Sequence, residues 1–137
     1  MAKVSLDVAE KEVNSWLDQK KIGSAKRIAK KDNIETLINA ISDGDLVLDP
    51  KTFQLTQILK FPLKADGEVG LTQLTYKARL STAQVGAALK SAKLNDAYGI
   101  VSSVIAVLTG EMIPSVNEFD TEDFGIAQAI TSFFLPS

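Results

Sequence analysis

The chain has 137 residues, 45% of them hydrophobic and 23% charged, a balance that excludes wholesale disorder and fits one domain with a buried core. Its 15 Lys and Arg against 17 Asp and Glu leave a formal charge of -2, which argues against a chain built to coat nucleic acid or an anionic membrane. With no Cys and no His, it has no disulfide framework, no thiol nucleophile and no imidazole base. Any catalysis would fall to carboxylates, Lys, Tyr or Ser.

The opening Met1-Ala2-Lys3-Val4-Ser5-Leu6-Asp7 meets polarity at once and has no apolar signal core, so a cytoplasmic protein is expected. From about Asp7 to Lys21 the period is helical, with Leu6, Ala9, Val13, Trp16 and Leu17 on one stripe. Gly23 and Ser24 interrupt it, and Ser24 to Lys31 then carries four positive charges around a single Ile28. Asp32 and Glu35 have the spacing of a capping box ahead of a second stripe, Ile34, Leu37, Ile38 and Ile41, which Gly44 is placed to stop.

The period then changes to two. After the Asp49-Pro50 turn signal, Phe53, Leu55, Leu59, Phe61 and Leu63 share a face, with Gln57 and Ile58 interrupting the alternation. Asp66-Gly67 marks a turn, and Leu74, Tyr76, Ala78 and Leu80 alternate with Gln73, Thr75, Lys77 and Arg79. These two runs predict a β-hairpin with one buried face, which needs helices packed on it because a lone hairpin is marginal in water.

Ser81 and Gln84 form another capping box, with Val85, Ala88, Leu89 and Ala92 facing inward. Asn95 or Asp96 restarts the chain into its most apolar segment. Ala97 to Leu108 is only 12 residues long, where a membrane span needs roughly 20, so it is read as a central core helix ended by Gly110. Pro114 falls in a loop. Asp120 or Thr121 caps the last helix, Glu122 and Asp123 sit in its first turn, and Phe124, Ala127, Ile130, Phe133 and Phe134 form its apolar side before Pro136.

The predicted fold is α+β and mostly helical, with about five helices packed on one β-hairpin whose strands lie near residues 53–63 and 71–80. Residues 1–137 are read as one domain, a helical N-terminal extension at 1–45 followed by the hairpin and a three-helix core at 46–137.

Charge is polarised along the chain. Residues 1–44 hold 8 basic and 7 acidic groups, 45–94 hold 7 and 4, and 95–137 hold none and 6. Complementary docking or self-association would use such a separation, although caps and solvated turns account for at least four of the last six acids. The glycines form neither GxGxxG nor a P-loop, and the acids of Asp43-Gly44-Asp45 and of Asp120, Glu122 and Asp123 lack EF-hand spacing. They read as a turn and a helix start. No catalytic, cofactor-binding or metal-ligating residue is assigned. Lys20, Lys21, Lys26, Arg27, Lys30 and Lys31 form the one patch suited to nucleic acid. Without interleaved aromatics for base stacking, it reads as a solvated helix face. Trp16, Phe133 and Phe134 are the candidate partner-binding residues. Trp16 has the spacing of a core or interface residue, and two adjacent phenylalanines on one helix cannot both point inward.

Three segments carry a resemblance. Lys60-Phe61-Pro62-Leu63 with Leu71 to Ser81 forms a strand pair. Ala106-Val107-Leu108-Thr109-Gly110 follows, and then Phe119-Asp120-Thr121-Glu122-Asp123-Phe124 leads to Ile130-Thr131-Ser132-Phe133-Phe134-Leu135. Over about residues 60–137 the chain resembles the tail assembly chaperones of long-tailed bacteriophages, departing from them in about fifty additional N-terminal residues and in lacking the longer product's extension. The resemblance implies a non-enzymatic role in the host cytoplasm without a cofactor. Such a protein holds the tape-measure protein soluble and helps recruit tail-tube subunits. Two rival expectations are a tail or baseplate subunit kept in the virion and a regulator that binds nucleic acid through residues 20–31.

Overall fold

Ser5 opens the first helix, α1 (Leu6–Gln19), by accepting the Val8 N–H on its Oγ at 3.3 Å. A computed structural model describes residues 3–65, 68–90 and 97–135. The predicted stripe of α1 is buried at Ala9, Val13, Trp16 and Leu17, whereas Leu6, one turn too early, is 58% exposed. The basic stretch, left without an element by its sequence, forms a short helix, α2 (Ser24–Ala29).

The next helix, α3 (Lys31–Asp43), starts two residues earlier than its acids suggest. Lys30 holds the N-cap position without a side-chain cap, and Asp32 lies inside the first turn, so the predicted Asp32–Glu35 capping box does not form. Its far end behaves as expected. Gly44 takes φ 83°, and the N–H groups of Gly44 and Asp45 return to the Ile41 and Ala40 carbonyls at 3.1 and 2.9 Å.

Two strands follow, β1 (Leu46–Leu48) and β2 (Leu55–Ile58), then a two-strand ribbon of β3 (Lys64–Ala65) and β4 (Glu68–Val69), then β5 (Gln73–Thr75). The sheet order is β1-β2-β5, all antiparallel, with Leu46 opposite Gln57 and Gln57 opposite Leu74. The predicted hairpin is therefore the β2–β5 pair, shorter than its hydrophobic pattern, with the ribbon at its tip and β1 added at its edge. Leu55, Gln57 and Leu59 are buried on one face, while Phe61, assigned to that face, is 55% exposed beyond the end of β2.

Ser81 and Gln84 cap α4 (Thr82–Lys90) reciprocally. The Gln84 N–H donates to Ser81 Oγ at 3.2 Å, and the Ser81 N–H donates to Gln84 Oε1 at 2.8 Å. The apolar segment is α5 (Ala97–Thr109), with Val104, Ile105 and Leu108 wholly buried between α4, α6, α7 and β5. Gly110, at φ 75°, ends it. Pro114 lies in the first turn of a five-residue helix, α6 (Ile113–Asn117), in place of the expected loop, because proline is well suited to a first helical turn. Asp120 caps α7 (Thr121–Thr131) by accepting the Glu122 N–H at 2.9 Å.

The architecture is thus mostly helical α+β, with seven helices and a three-stranded antiparallel sheet among the described residues. Buried side chains from α1 and α3 join those of the sheet and of α4 to α7 in one apolar cluster. Among the described residues no helix is long and apolar enough to cross a membrane. The predicted Asp66-Gly67 turn, inward-facing Ala92, helix start at Asn95 or Asp96 and stop at Pro136 lie outside the described residues.

Candidate partner-binding site

Helix α7 ends at Thr131, and this decides where the two phenylalanines go. The Phe133 and Phe134 N–H groups bond to the Ile130 and Thr131 carbonyls at 3.2 and 2.9 Å, forming a tight turn in place of another helical step. Both rings consequently face α1. Trp16 meets Phe133 edge-on at 5.6 Å between centroids and Phe134 at 6.3 Å in a tilted pair. The two do not share one helix as expected: Phe133 is buried, as is Trp16, and Phe134 is half-buried with part of its ring open to the surface. The three candidate residues do come together, as an interior cluster with one ring at its rim.

Around that rim stand the cations of the basic stretch. Lys20 Nζ lies 3.5 Å from the Phe134 ring centroid, and Lys30 Nζ lies 5.9 Å from that of Phe133. Lys26 Nζ donates to the Leu135 carbonyl at 3.4 Å. Arg27 turns away, its guanidinium held by Asp18 at 2.7 Å and by the Ile22 carbonyl at 2.9 Å. The patch is therefore not one solvated helix face. Lys20 and Lys26 belong to a cleft that the spacing of residues 20–31 does not reveal, because its third cation, Arg79, comes from beyond β5.

This cleft has a volume of about 380 Å³. Its floor is Ile22, Val85, Phe134 and Leu135, and its walls carry Lys20, Lys26 and Arg79 with the Ser81 and Thr82 hydroxyls at the start of α4. No acidic side chain lines it among the described residues. Burial, then the Arg79 guanidinium, then the Lys26 ammonium push the Lys20 amine down to about 8.

A second hollow of about 320 Å³ opens between α1 and the β1–β2 connection, lined by Val8, Leu48, Pro50 and Phe53 with Lys11, Glu12 and Ser15. The β1–β2 connection beside it is a turn in which Asp49 Oδ1 accepts the Lys51 and Thr52 N–H groups at 2.8 and 3.1 Å. Those bonds hold the exposed Asp49 carboxyl below its ordinary range, and the chain leaves the turn with Phe53 at φ 58°. Leu6, Val8 and Val47, 58%, 45% and 38% exposed, add apolar surface on α1 and β1.

The acids have structural partners. Asp45 binds the Lys60 ammonium at 2.6 Å, a bond that holds the lysine above its ordinary pKa against a smaller effect of burial. Asp120 is a cap. Asp123 is fully buried, and its two oxygens accept the Lys60 and Phe61 N–H groups at 2.8 and 3.0 Å. Among the described residues, no three such side chains are grouped as a metal site would require.

Compared with models of protein families, with curated proteins and with solved structures, the chain matches none of them.

Proposed function

We propose that this chain is a non-enzymatic tail assembly chaperone of a long-tailed bacteriophage, acting in the host cytoplasm. It holds the tape-measure protein soluble and helps recruit tail-tube subunits to it. The observation that carries this reading is the resemblance over residues 60–137, and two of its motifs have a definite physical task. The Leu108-Thr109-Gly110 step is a helix terminator: Leu108 is buried, Thr109 Oγ1 donates to the Ile105 carbonyl at 2.8 Å, and Gly110 turns left-handed. The acids before Phe124 divide into the cap Asp120 and the buried tether Asp123.

The surfaces support the same reading. A protein that keeps a long partner in solution needs apolar area left uncovered by its own fold. Leu6, Val8 and Val47 and the hollow at Leu48, Pro50 and Phe53 supply it.

One observation favours a second reading, a subunit retained in the tail or baseplate. Among the described residues strand β1 pairs only with β2, so the sheet has an outer edge at Leu46–Leu48 to which a neighbour's strand can add. The protein content of purified particles separates the two. A chaperone is abundant in infected cells and missing from the particles, whereas a structural subunit is present in fixed copy number.

A further inference from the structure

The cleft between α1, α2, the start of α4 and the Phe133–Leu135 turn combines two features. Three cations from separate parts of the chain, Lys20, Lys26 and Arg79, converge on it without an acidic partner in its lining. Arg79 is exposed, and neither it nor Lys26 has a carboxylate within ion-pair distance among the described residues. Beneath them lies an apolar floor of Ile22, Val85, Phe134 and Leu135.

Like charges held together cost free energy, and the depressed Lys20 amine records that cost as well as its partial burial. An arriving carboxylate relieves the repulsion and gains charge-assisted hydrogen bonds from all three. The apolar floor discriminates further: it offers nothing to a bare inorganic anion but gains from a bulky aliphatic side chain. A nucleic-acid strand would find phosphate partners but only one partly open ring, Phe134, already covered by Lys20 at 3.5 Å, in place of a stacking platform.

We propose that this cleft is a docking groove for an acidic segment of a partner protein, in which carboxylates alternate with bulky aliphatic side chains. The carboxylates meet Lys20, Lys26 and Arg79, and an aliphatic side chain seats on Ile22, Val85 and Leu135. The groove is distinct from the apolar hollow at Phe53 and does not depend on the partner being a tail protein.

The test titrates the intact chain into a short fluorescein-labelled peptide of Glu, Leu and Ala, with the same peptide carrying Gln for Glu as control, and follows anisotropy. Trp16 fluorescence gives a second signal, since this single tryptophan packs against Phe134. The expected result is saturable binding of the Glu peptide, weakened by salt, and reduced about tenfold by Arg79→Glu and again by Lys26→Glu. Neither side chain lies in the apolar core, and circular dichroism verifies folding; Arg79→Gln, which adds no charge, gives a smaller loss in the same direction. Lys20 faces Arg79, Lys26 and the Phe134 ring, so affinity also falls as pH rises past about 8. Equal binding of the Gln peptide, binding that survives both reversals, or no binding overturns the proposal. So does an oligothymidine that displaces the peptide at lower concentration. Self-association of the chain abolished by the same reversals also overturns it, because the occupant is then a second copy.

Discussion

The Gln57 side-chain amide donates to the Asp123 main-chain carbonyl at 2.9 Å, joining the middle strand of the sheet to the first turn of α7 with both residues fully buried. The other end of the same amide accepts from the Tyr76 hydroxyl at 2.7 Å. One glutamine thus satisfies a phenol and a helix carbonyl that water does not reach.

Gln57→Leu keeps the volume and strands the buried Tyr76 hydroxyl, while the Asp123 carbonyl keeps its helical N–H partner. The cost is about 2–3 kcal/mol, since a buried polar group left unpaired loses about 1–3 kcal/mol and a second hydrogen bond is lost with it. Tyr76→Phe alone removes one partner and costs about 1–2 kcal/mol by the same reasoning. The double variant loses at least about 1 kcal/mol less than the sum of the singles, because the second change removes a group already stranded. Urea unfolding of the four proteins measures it, and additive losses would show that the bonds do not act as a chain.

Asp123→Asn tests the tether between α7 and the end of β2. One amide oxygen cannot replace two carboxylate oxygens facing the Lys60 and Phe61 N–H groups, and the new NH2 points a donor at a donor. A loss of about 2–3 kcal/mol is expected, with faster hydrogen exchange at both amides. A variant within about 0.5 kcal/mol of the parent would contradict the assignment, since that is the range of surface changes.

Lys20 sets a pH dependence of definite sign. Its folded pKa of about 8 lies below the ordinary 10.5, so between these values the unfolded chain binds more protons and stability rises with pH. Tyr76 acts oppositely above about 10, where only the unfolded phenol ionises, because burial and then the Asp123 charge raise its pKa in the fold. The window for Lys20 is therefore about pH 8 to 10. Lys20→Met should be more stable than the parent at pH 7 and should flatten that rise, as read by thermal unfolding across the window.

Two glycines respond in opposite directions. Gly110→Ala places a side chain at φ 75° and costs about 1 kcal/mol. Gly86 lies inside α4, and a methyl group there meets nothing within 4 Å, so Gly86→Ala gains about 0.5–1 kcal/mol. A stabilised Gly110→Ala would mean that the Leu-Thr-Gly step does not end α5.

What sequence reading recovered is what acts within a turn or two of the chain. The Ser81–Gln84 box, the left-handed stops at Gly44 and Gly110, the Asp120 cap and the burial of α5 all follow from neighbours in sequence. The failures involve distant partners or very short elements. Leu46-Val47-Leu48 is too brief to display a period. Gln57 looked like a break in the strand because its partners, Tyr76 and Asp123, lie 19 and 66 residues away. Asp123 read as a dipole acid for the same reason. The cleft has no local signature because Arg79 meets Lys20 and Lys26 only after the sheet and the final turn have folded together.

The most direct measurement is co-expression of this chain with the tape-measure protein of the genome that encodes it, followed by size-exclusion chromatography of the soluble fraction. The account predicts that the tape-measure protein, aggregated alone, becomes soluble and elutes with this chain. A tape-measure protein that remains insoluble, or that is soluble and elutes separately, would contradict it.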